Sequence, residues 1–208
     1  MSRPFSLLAG TVLIALALIV SGTSPHERLT WWLEIAPILI AMPVLFASYR
    51  RFPLTDLLYI LIFFHAMVLI VGGSYTYARV PVGFWIQDVF HLARNPYDKI
   101  GHFMQGFVPA MVAREILLRQ GYLSSKRMAA FISVCIALAI SAFYELIEWW
   151  AALALGQGAD DFLGTQGDPW DTQSDMFWAL IGAFVALALL SKIHDRKMLK
   201  LREVKNAN

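Results

Sequence analysis

The chain has 208 residues, of which 58% are hydrophobic and 15% charged, with a mean hydropathy of +0.58. Soluble domains hold about 45–50% apolar and about 25% charged residues, so the composition excludes an ordinary soluble protein and indicates a membrane protein. A formal charge of +2 gives no indication of a nucleic-acid partner. The single cysteine, Cys135, excludes an intramolecular disulfide, and we expect it to be a small core residue.

Apolar runs of membrane-spanning length follow one another along the chain. The first could be a signal peptide, because small residues follow it; we expect an uncleaved helix, because further spans come after it. The prediction is an all-α, polytopic bundle of six transmembrane helices in one domain, 1–193, with a basic cytoplasmic tail, 194–208. A short interfacial helix is predicted over 84–93, in an aromatic-rich connection. The six predicted spans are 5–20, 31–49, 54–73, 98–118, 128–155 and 171–193.

Basic residues divide unevenly between the two sides that six spans define. Thirteen of the 17 Lys and Arg residues fall at the N-terminus, in the 50–53 turn, in the 114–127 region and in the tail, and four fall on the other side. Cytoplasmic segments carry the excess of Lys and Arg in membrane proteins. The distribution predicts six spans with both termini in the cytoplasm.

Three of the predicted spans carry polar residues near their periplasmic ends, where membrane helices normally carry apolar ones. An ionisable group costs at least about 2.5 kcal/mol near the bilayer centre, so such groups usually face a bundle interior or a cavity. Residues three and four apart share a helix face, so each span presents a polar stripe, and we expect the stripes to meet in one periplasm-facing pocket. The stripes are Asp98, His102, Gln105 and Pro109; Ser141, Glu145, Glu148 and Ala152; and Asp171, Asp175, Trp178 and Gly182.

The residue types in this pocket suit two kinds of chemistry. One histidine with several carboxylates can hold a divalent zinc, manganese or iron ion, and the same groups can act as general acid and base. A lysine beside them can stabilise developing negative charge. The predicted roles are His102, Asp171 and Asp175 as metal ligands; Glu145, Glu148 and Lys99 as catalytic residues; and Asp98, Gln105 and Asp168 as further pocket residues.

A purely structural polar network is the alternative interpretation of the same residues. Asp168, which precedes a proline, is typical of a helix N-cap with proline at the first helical position. Asp98 and Asp171 would be stabilised at the positive ends of helix dipoles, and Lys99 can pair with a neighbouring acid. The sequence contains no HExxH, GxSxG or phosphate-binding glycine motif.

Three stretches, YDKIGHF at 97–103, YELIEW at 144–149 and GDPWDTQSDM at 167–176, resemble the YjdF-type family of bacterial inner-membrane proteins. This resemblance implies a multi-pass helical fold in the inner membrane, and it implies no particular reaction. Some of the same residues resemble, more weakly, the VanZ-like membrane proteins linked to glycopeptide resistance. The chain departs from that second pattern at Ala179 and Glu148.

Three classes of function stay open at this point. The first is a metal-assisted enzyme acting on an envelope or lipid head-group substrate, with a divalent metal ion as the cofactor. The second is a cation- or proton-coupled transporter that uses the same acids, although the chain shows no internal repeat. The third is a structural membrane subunit. Membrane lipid is the expected partner in each case, and no nucleic acid is expected.

Overall fold

The computed structural model describes residues 3–155 and 166–207, and within these ranges the chain forms helices and no strand. The predicted all-α class is therefore confirmed. Most of the predicted Gly- and Asp-rich connection, 156–170, lies outside the described residues. The helices are α1 (Arg3–Thr23), α2 (Arg28–Ser48), α3 (Asp56–Tyr75), α4 (Pro81–Phe90), α5 (Tyr97–Arg119), α6 (Lys126–Leu155) and α7 (Asp171–Ala207).

Five of these helices are long and apolar enough to cross a membrane, which is consistent with a polytopic membrane protein. They correspond to the first, second, third, fifth and sixth predicted spans. The fourth predicted span forms α5, whose 23 residues are less apolar because polar and charged side chains lie at both of its ends. The five apolar segments are Phe5–Thr23, Arg28–Ser48, Asp56–Tyr75, Lys126–Ala154 and Asp171–Glu203.

Helix α7 begins at Asp171, where the sixth span was predicted to begin, and extends beyond its predicted end. It continues past residue 193 as one helix to Ala207, so the described part of the basic tail is helical. The predicted N-cap at Asp168 is wrong, because the helix begins at Asp171. Asp168 instead accepts a hydrogen bond from the backbone N–H of Trp170 (2.9 Å) in the turn before the helix. The interfacial helix is present as α4, three residues earlier than predicted, with Pro81 at its start.

Helix α5 is the centre of the bundle. It packs against α3, α6 and α7, whereas α1 and α2 pack mainly against α3. Helices α5 and α7 touch backbone to backbone: a Cβ on Gly106 would collide with the carbonyl group of Ala179, and a Cβ on Gly182 would collide with that of Phe103. Small residues allow such close approach between membrane helices. This crossing brings the first turns of α5 and α7 together.

The outer surface of the bundle is apolar. Large side chains such as Phe46 (87% exposed), Ile19 (66% exposed) and Phe131 (63% exposed) point outward, as expected where helices face lipid rather than water. Cys135 also lies on this surface. Its predicted place in the core is wrong, because α6 turns the buried stripe of Ser133 and Ala137 inward and leaves Cys135 outside.

Candidate functional site

A group of seven ionisable side chains, which we call the acidic cluster, lies where the first turns of α5 and α7 meet the last third of α6. Six of its members are buried, with exposed fractions between 2% and 9%, and the lysine is half-buried. The three stripes predicted from the sequence therefore meet in space. The members are Asp98, Lys99, His102, Glu145, Glu148, Asp171 and Asp175.

Lys99 joins α5 to α7 by two hydrogen bonds. Its Nζ donates to Asp171 Oδ1 (2.7 Å) and to Asp175 Oδ1 (2.6 Å), and it lies 3.6 Å from Asp98 Oδ2. Asp171 and Asp175 are four residues apart, so they share one face of α7. One lysine cannot neutralise three carboxylates, so other groups must compensate the remaining negative charge.

His102 is the centre of the acidic cluster. Its Nε2 lies 3.5 Å from Asp98 Oδ1 and 3.8 Å from Asp175 Oδ2. Its Nδ1 lies 3.1 Å from Gln105 Oε1 and 3.8 Å from Glu145 Oε1. A proton on Nδ1, donated to Gln105, would leave the Nε2 lone pair facing the two aspartates. The single histidine of the pocket is thus within reach of acids on all three helices.

Two carboxylate oxygens of the cluster, Asp98 Oδ2 and Glu145 Oε1, are buried without a hydrogen-bond partner. Leaving a buried polar group unpaired costs about 1–3 kcal/mol, and more for a charged group. Two overlapping sets also have ligand atoms within 4.8 Å of one another: His102 with Asp98 and Asp175, and His102 with Glu145 and Glu148. This spacing suits a metal ion. Asp171 belongs to neither set, and its Oδ1 accepts a hydrogen bond from Lys99.

Arg94 forms the rim of the cluster and was not singled out from the sequence. Its guanidinium pairs with Asp168 (3.1 Å) and with Asp171. Burial lowers the pKa of Arg94, but the hydrogen bond and charge of Asp171 outweigh it, so the net pKa is raised. The backbone N–H of the neighbouring Asn95 donates to Gln166 Oε1, and the Gln166 side-chain amide donates to the backbone carbonyl of Asn95. Asp168 therefore lies at the rim, apart from His102.

Glu34 on α2 is the second residue that sequence reasoning missed. It is buried, and its Oε2 accepts a hydrogen bond from Tyr144 OH on α6 (3.1 Å). Gly73 brings α3 close to this point, since an added Cβ there would lie 3.0 Å from Glu34 Cβ. The sequence signal that could have identified Glu34 is that it is a single acid near the start of an otherwise apolar span, where an ionisable residue usually faces the bundle interior.

A second polar group, which we call the balanced cluster, lies near the opposite end of α5. Glu115 is fully buried; it accepts hydrogen bonds from Thr55 N (2.9 Å) and Thr55 Oγ1 (2.7 Å), pairs with Arg119, and lies 2.7 Å from His194 Nε2. Arg114 donates to Asp195 (2.6 Å) and lies 3.3 Å from His194 Nδ1. The members are Arg114, Glu115, Arg119, His194 and Asp195. None of these was predicted as a site residue.

Comparison with known proteins agrees with the membrane fold and places the chain in a family. A family model described as a predicted membrane protein (DUF2238) matches residues 6–196. The chain is 59% identical over 196 residues to the inner membrane protein YjdF of Escherichia coli strain K12, covering 94% of each chain. No solved structure matches. The protein is therefore a multi-pass inner-membrane protein, and the chain belongs to the DUF2238 family, as its motifs predicted.

Proposed function

We propose that the acidic cluster binds a divalent cation and that the protein uses this cation for metal-assisted chemistry on the head group of an envelope lipid. The observation that carries the proposal is the buried oxygen of Asp98 that accepts no hydrogen bond, beside histidine and carboxylate ligand atoms of His102 and Asp175 that lie within 4.8 Å of one another. A bound cation would compensate this oxygen, and histidine with carboxylates suits zinc, manganese or iron.

His102 Nε2, Asp98 and Asp175 are the proposed ligands, because they form one of the two sets with suitable spacing. Gln105 is the proposed positioning residue: by accepting a hydrogen bond from Nδ1–H of His102 it would fix the histidine tautomer that leaves the Nε2 lone pair free. Asp171, predicted from the sequence as a ligand, is proposed instead to hold Lys99, which would face negative charge that develops on the substrate.

Glu148 is the proposed general base. Of the two glutamates on α6 it is the one that lines the large cavity beside the cluster, where a substrate would approach. A general base must lie within hydrogen-bond reach of the proton that it removes, and Glu148 would act from this wall of the cavity. Glu145 would then complete the charge balance around His102.

Ion or proton transport is the rival function, and it would use the same acids. Its best support is His65, whose buried Nε2 has no partner and which lines the cavity between the two polar clusters. The remaining wall of that cavity is mainly apolar, and a cation would find few ligands along it. We therefore favour chemistry at one end over conduction through the bundle.

We also propose six spans with both termini in the cytoplasm, with α5 as the fourth span and the acidic cluster facing the periplasm. The uneven distribution of Lys and Arg supports this orientation. A reporter that is active only in the periplasm, fused after residue 208, should be silent, and one fused within the 24–27 connection should be active. The reverse pattern would place the acidic cluster at the cytoplasmic face.

The proposal predicts a stoichiometric metal that depends on His102. Protein purified in detergent without chelator, and supplied with zinc, manganese and iron, should retain one of these metals when analysed by elemental mass spectrometry. The His102→Ala, Asp175→Ala double variant should lose it. A matched control, His26→Ala with Asp88→Ala, removes the same residue types from exposed positions and should keep it. A metal-free wild-type protein would overturn the proposal.

A further inference from the structure

A cavity of about 600 Å³ lies between α2 and α3 on one side and α5 and α6 on the other. Drug-sized ligands occupy sites of about 300–1,000 Å³, so the volume suits a substantial ligand. The wall is mainly aliphatic and aromatic along most of its length, and polar side chains gather at the end nearest the acidic cluster. Aliphatic wall residues include Ile38, Met42, Leu69, Val108, Val112 and Ile136.

The cavity is long, and part of its wall is exposed. Its wall follows α5 from Asp98 to Leu117, which at 1.5 Å per residue corresponds to about 28 Å, close to the thickness of a bilayer hydrocarbon core of about 30 Å. Two wall residues, Val44 and Ile116, are 60% and 38% exposed on the outside of the bundle. A flexible chain could therefore enter from the membrane and lie parallel to the helices.

The polar end of the cavity is acidic. Glu34, Asp98 and Glu148 line it together with His102, and among the described residues no Lys or Arg does so. Lys99 does not line the cavity; its Nζ donates to Asp171 and Asp175 on α7 and lies 3.6 Å from Asp98 Oδ2. That oxygen of Asp98 is buried and accepts no hydrogen bond. This charge distribution favours a ligand whose polar end carries a positive charge.

We propose that this cavity binds one aliphatic chain of a membrane lipid whose head group carries a primary amine, with the ammonium group beside Glu34. Tyr144 donates to Glu34 Oε2 (3.1 Å) and would hold the carboxylate so that its other oxygen can accept from the ammonium group. The inference deepens the proposed function by naming its substrate class, and any reaction of this lipid rests on that function. Lipid binding itself requires no metal.

Native mass spectrometry of the full-length protein in chelator tests the proposal. Detergent-purified protein is mixed with equal amounts of phosphatidylethanolamine and phosphatidylglycerol that carry the same chains, and the retained lipid is counted. The wild type should retain phosphatidylethanolamine several-fold more than phosphatidylglycerol. Glu34→Gln should remove this preference without abolishing lipid retention. Equal retention of the two lipids by the wild type would overturn the amine part of the proposal.

Cavity-filling variants test the position of the chain. Ala41→Trp places an indole at an exposed wall residue of α2, and Ala47→Trp makes the same change on the same helix outside the cavity. The first should lower lipid retention about tenfold and the second should leave it unchanged. Val112→Phe on α5 provides an independent filling variant. If both filling variants retain lipid as the control does, the chain does not lie in this cavity.

The two proposals fail separately. Protein that selects phosphatidylethanolamine in chelator but never retains a metal would overturn the metal-assisted chemistry and leave the lipid site in place. Protein that holds a His102-dependent metal but shows neither lipid preference nor sensitivity to Ala41→Trp would overturn only the lipid site.

Discussion

The two polar clusters on α5 are built from the same residue types but differ in how completely their charges are paired. In the balanced cluster, Glu115 contacts four groups on three residues (Thr55, Arg119 and His194), and Asp195 accepts from Arg114 and Lys126. In the acidic cluster, Lys99, His102 and the rim residue Arg94 face five carboxylates, and two buried oxygens have no hydrogen-bond partner. Asp98 and Glu115 lie 17 residues apart in the same helix, so the difference in charge pairing does not come from a difference between helices.

This difference in charge pairing distinguishes a structural network from a ligand-binding site. A buried charge that is fully paired holds helices in one arrangement, although it adds little stability beyond what apolar packing would supply. Several carboxylates close together without enough counter-charge repel one another, and such an arrangement lowers stability unless a ligand compensates it. Strained or unpaired groups of this kind concentrate at functional sites. Arg114 Nε of the balanced cluster is also buried without a hydrogen-bond partner, but its guanidinium is paired with Asp195. Of the two clusters, the acidic one has more carboxylates than counter-charges, which is why we propose the site there.

The largest expected effect is in the balanced cluster. Glu115→Gln keeps the shape of the side chain but removes the negative charge that faces Arg119 and His194, so a buried cation loses its partner. Breaking a buried pair in this way costs about 3–5 kcal/mol. We expect a loss of this size in the free energy of unfolding, measured by denaturant titration in mixed micelles.

The matched control for this variant is Glu203→Gln, because Glu203 is exposed near the end of α7. It should change the unfolding free energy by no more than about 0.5 kcal/mol. If Glu115→Gln costs as little as this control, the balanced cluster does not hold the bundle together, and the distinction between the two clusters is lost.

Much of the fold could be predicted from the sequence, because hydrophobic runs fix membrane spans and spacing of three and four fixes helix faces. The observed bounds of α5 and α6 lie within two residues of the predicted ones. The convergence of the three polar stripes followed from the same spacing. Local patterns were less reliable at the helix ends, where the turn at 166–170 displaced the predicted cap at Asp168.

The partners of individual side chains could not be predicted, because they depend on helix rotation and on which helices adjoin. Arg114 and Arg119 entered the sequence argument only as topology signals. The pairing of Arg114 with Asp195 requires α7 to continue beyond residue 193, whereas Arg119 pairs with Glu115 four residues earlier in α5. Glu34 reaches the site only because α3 brings α2 close to Tyr144 on α6. The exposure of Cys135 likewise depends on helix rotation.

Two substitutions in the acidic cluster should change the free energy of unfolding by smaller amounts and in opposite directions. Lys99→Met removes the group that Asp171 and Asp175 share, and loss of hydrogen bonds to a charged group costs about 1.5–3 kcal/mol. Asp98→Asn removes one of the repelling carboxylates, keeps the size of the side chain, and in chelator should change stability by less than about 1 kcal/mol, toward a gain. Unfolding in mixed micelles, with and without chelator, measures the free energy of unfolding of both variants.

Added divalent cation should recover part of the stability lost in Lys99→Met, because it supplies the missing positive charge. It should stabilise Asp98→Asn less than the wild type, because one metal ligand has been removed. A loss above about 2 kcal/mol in Asp98→Asn, unaffected by cation, would show that Asp98 is a paired structural residue like Glu115. The acidic cluster would then be a second balanced network rather than a site.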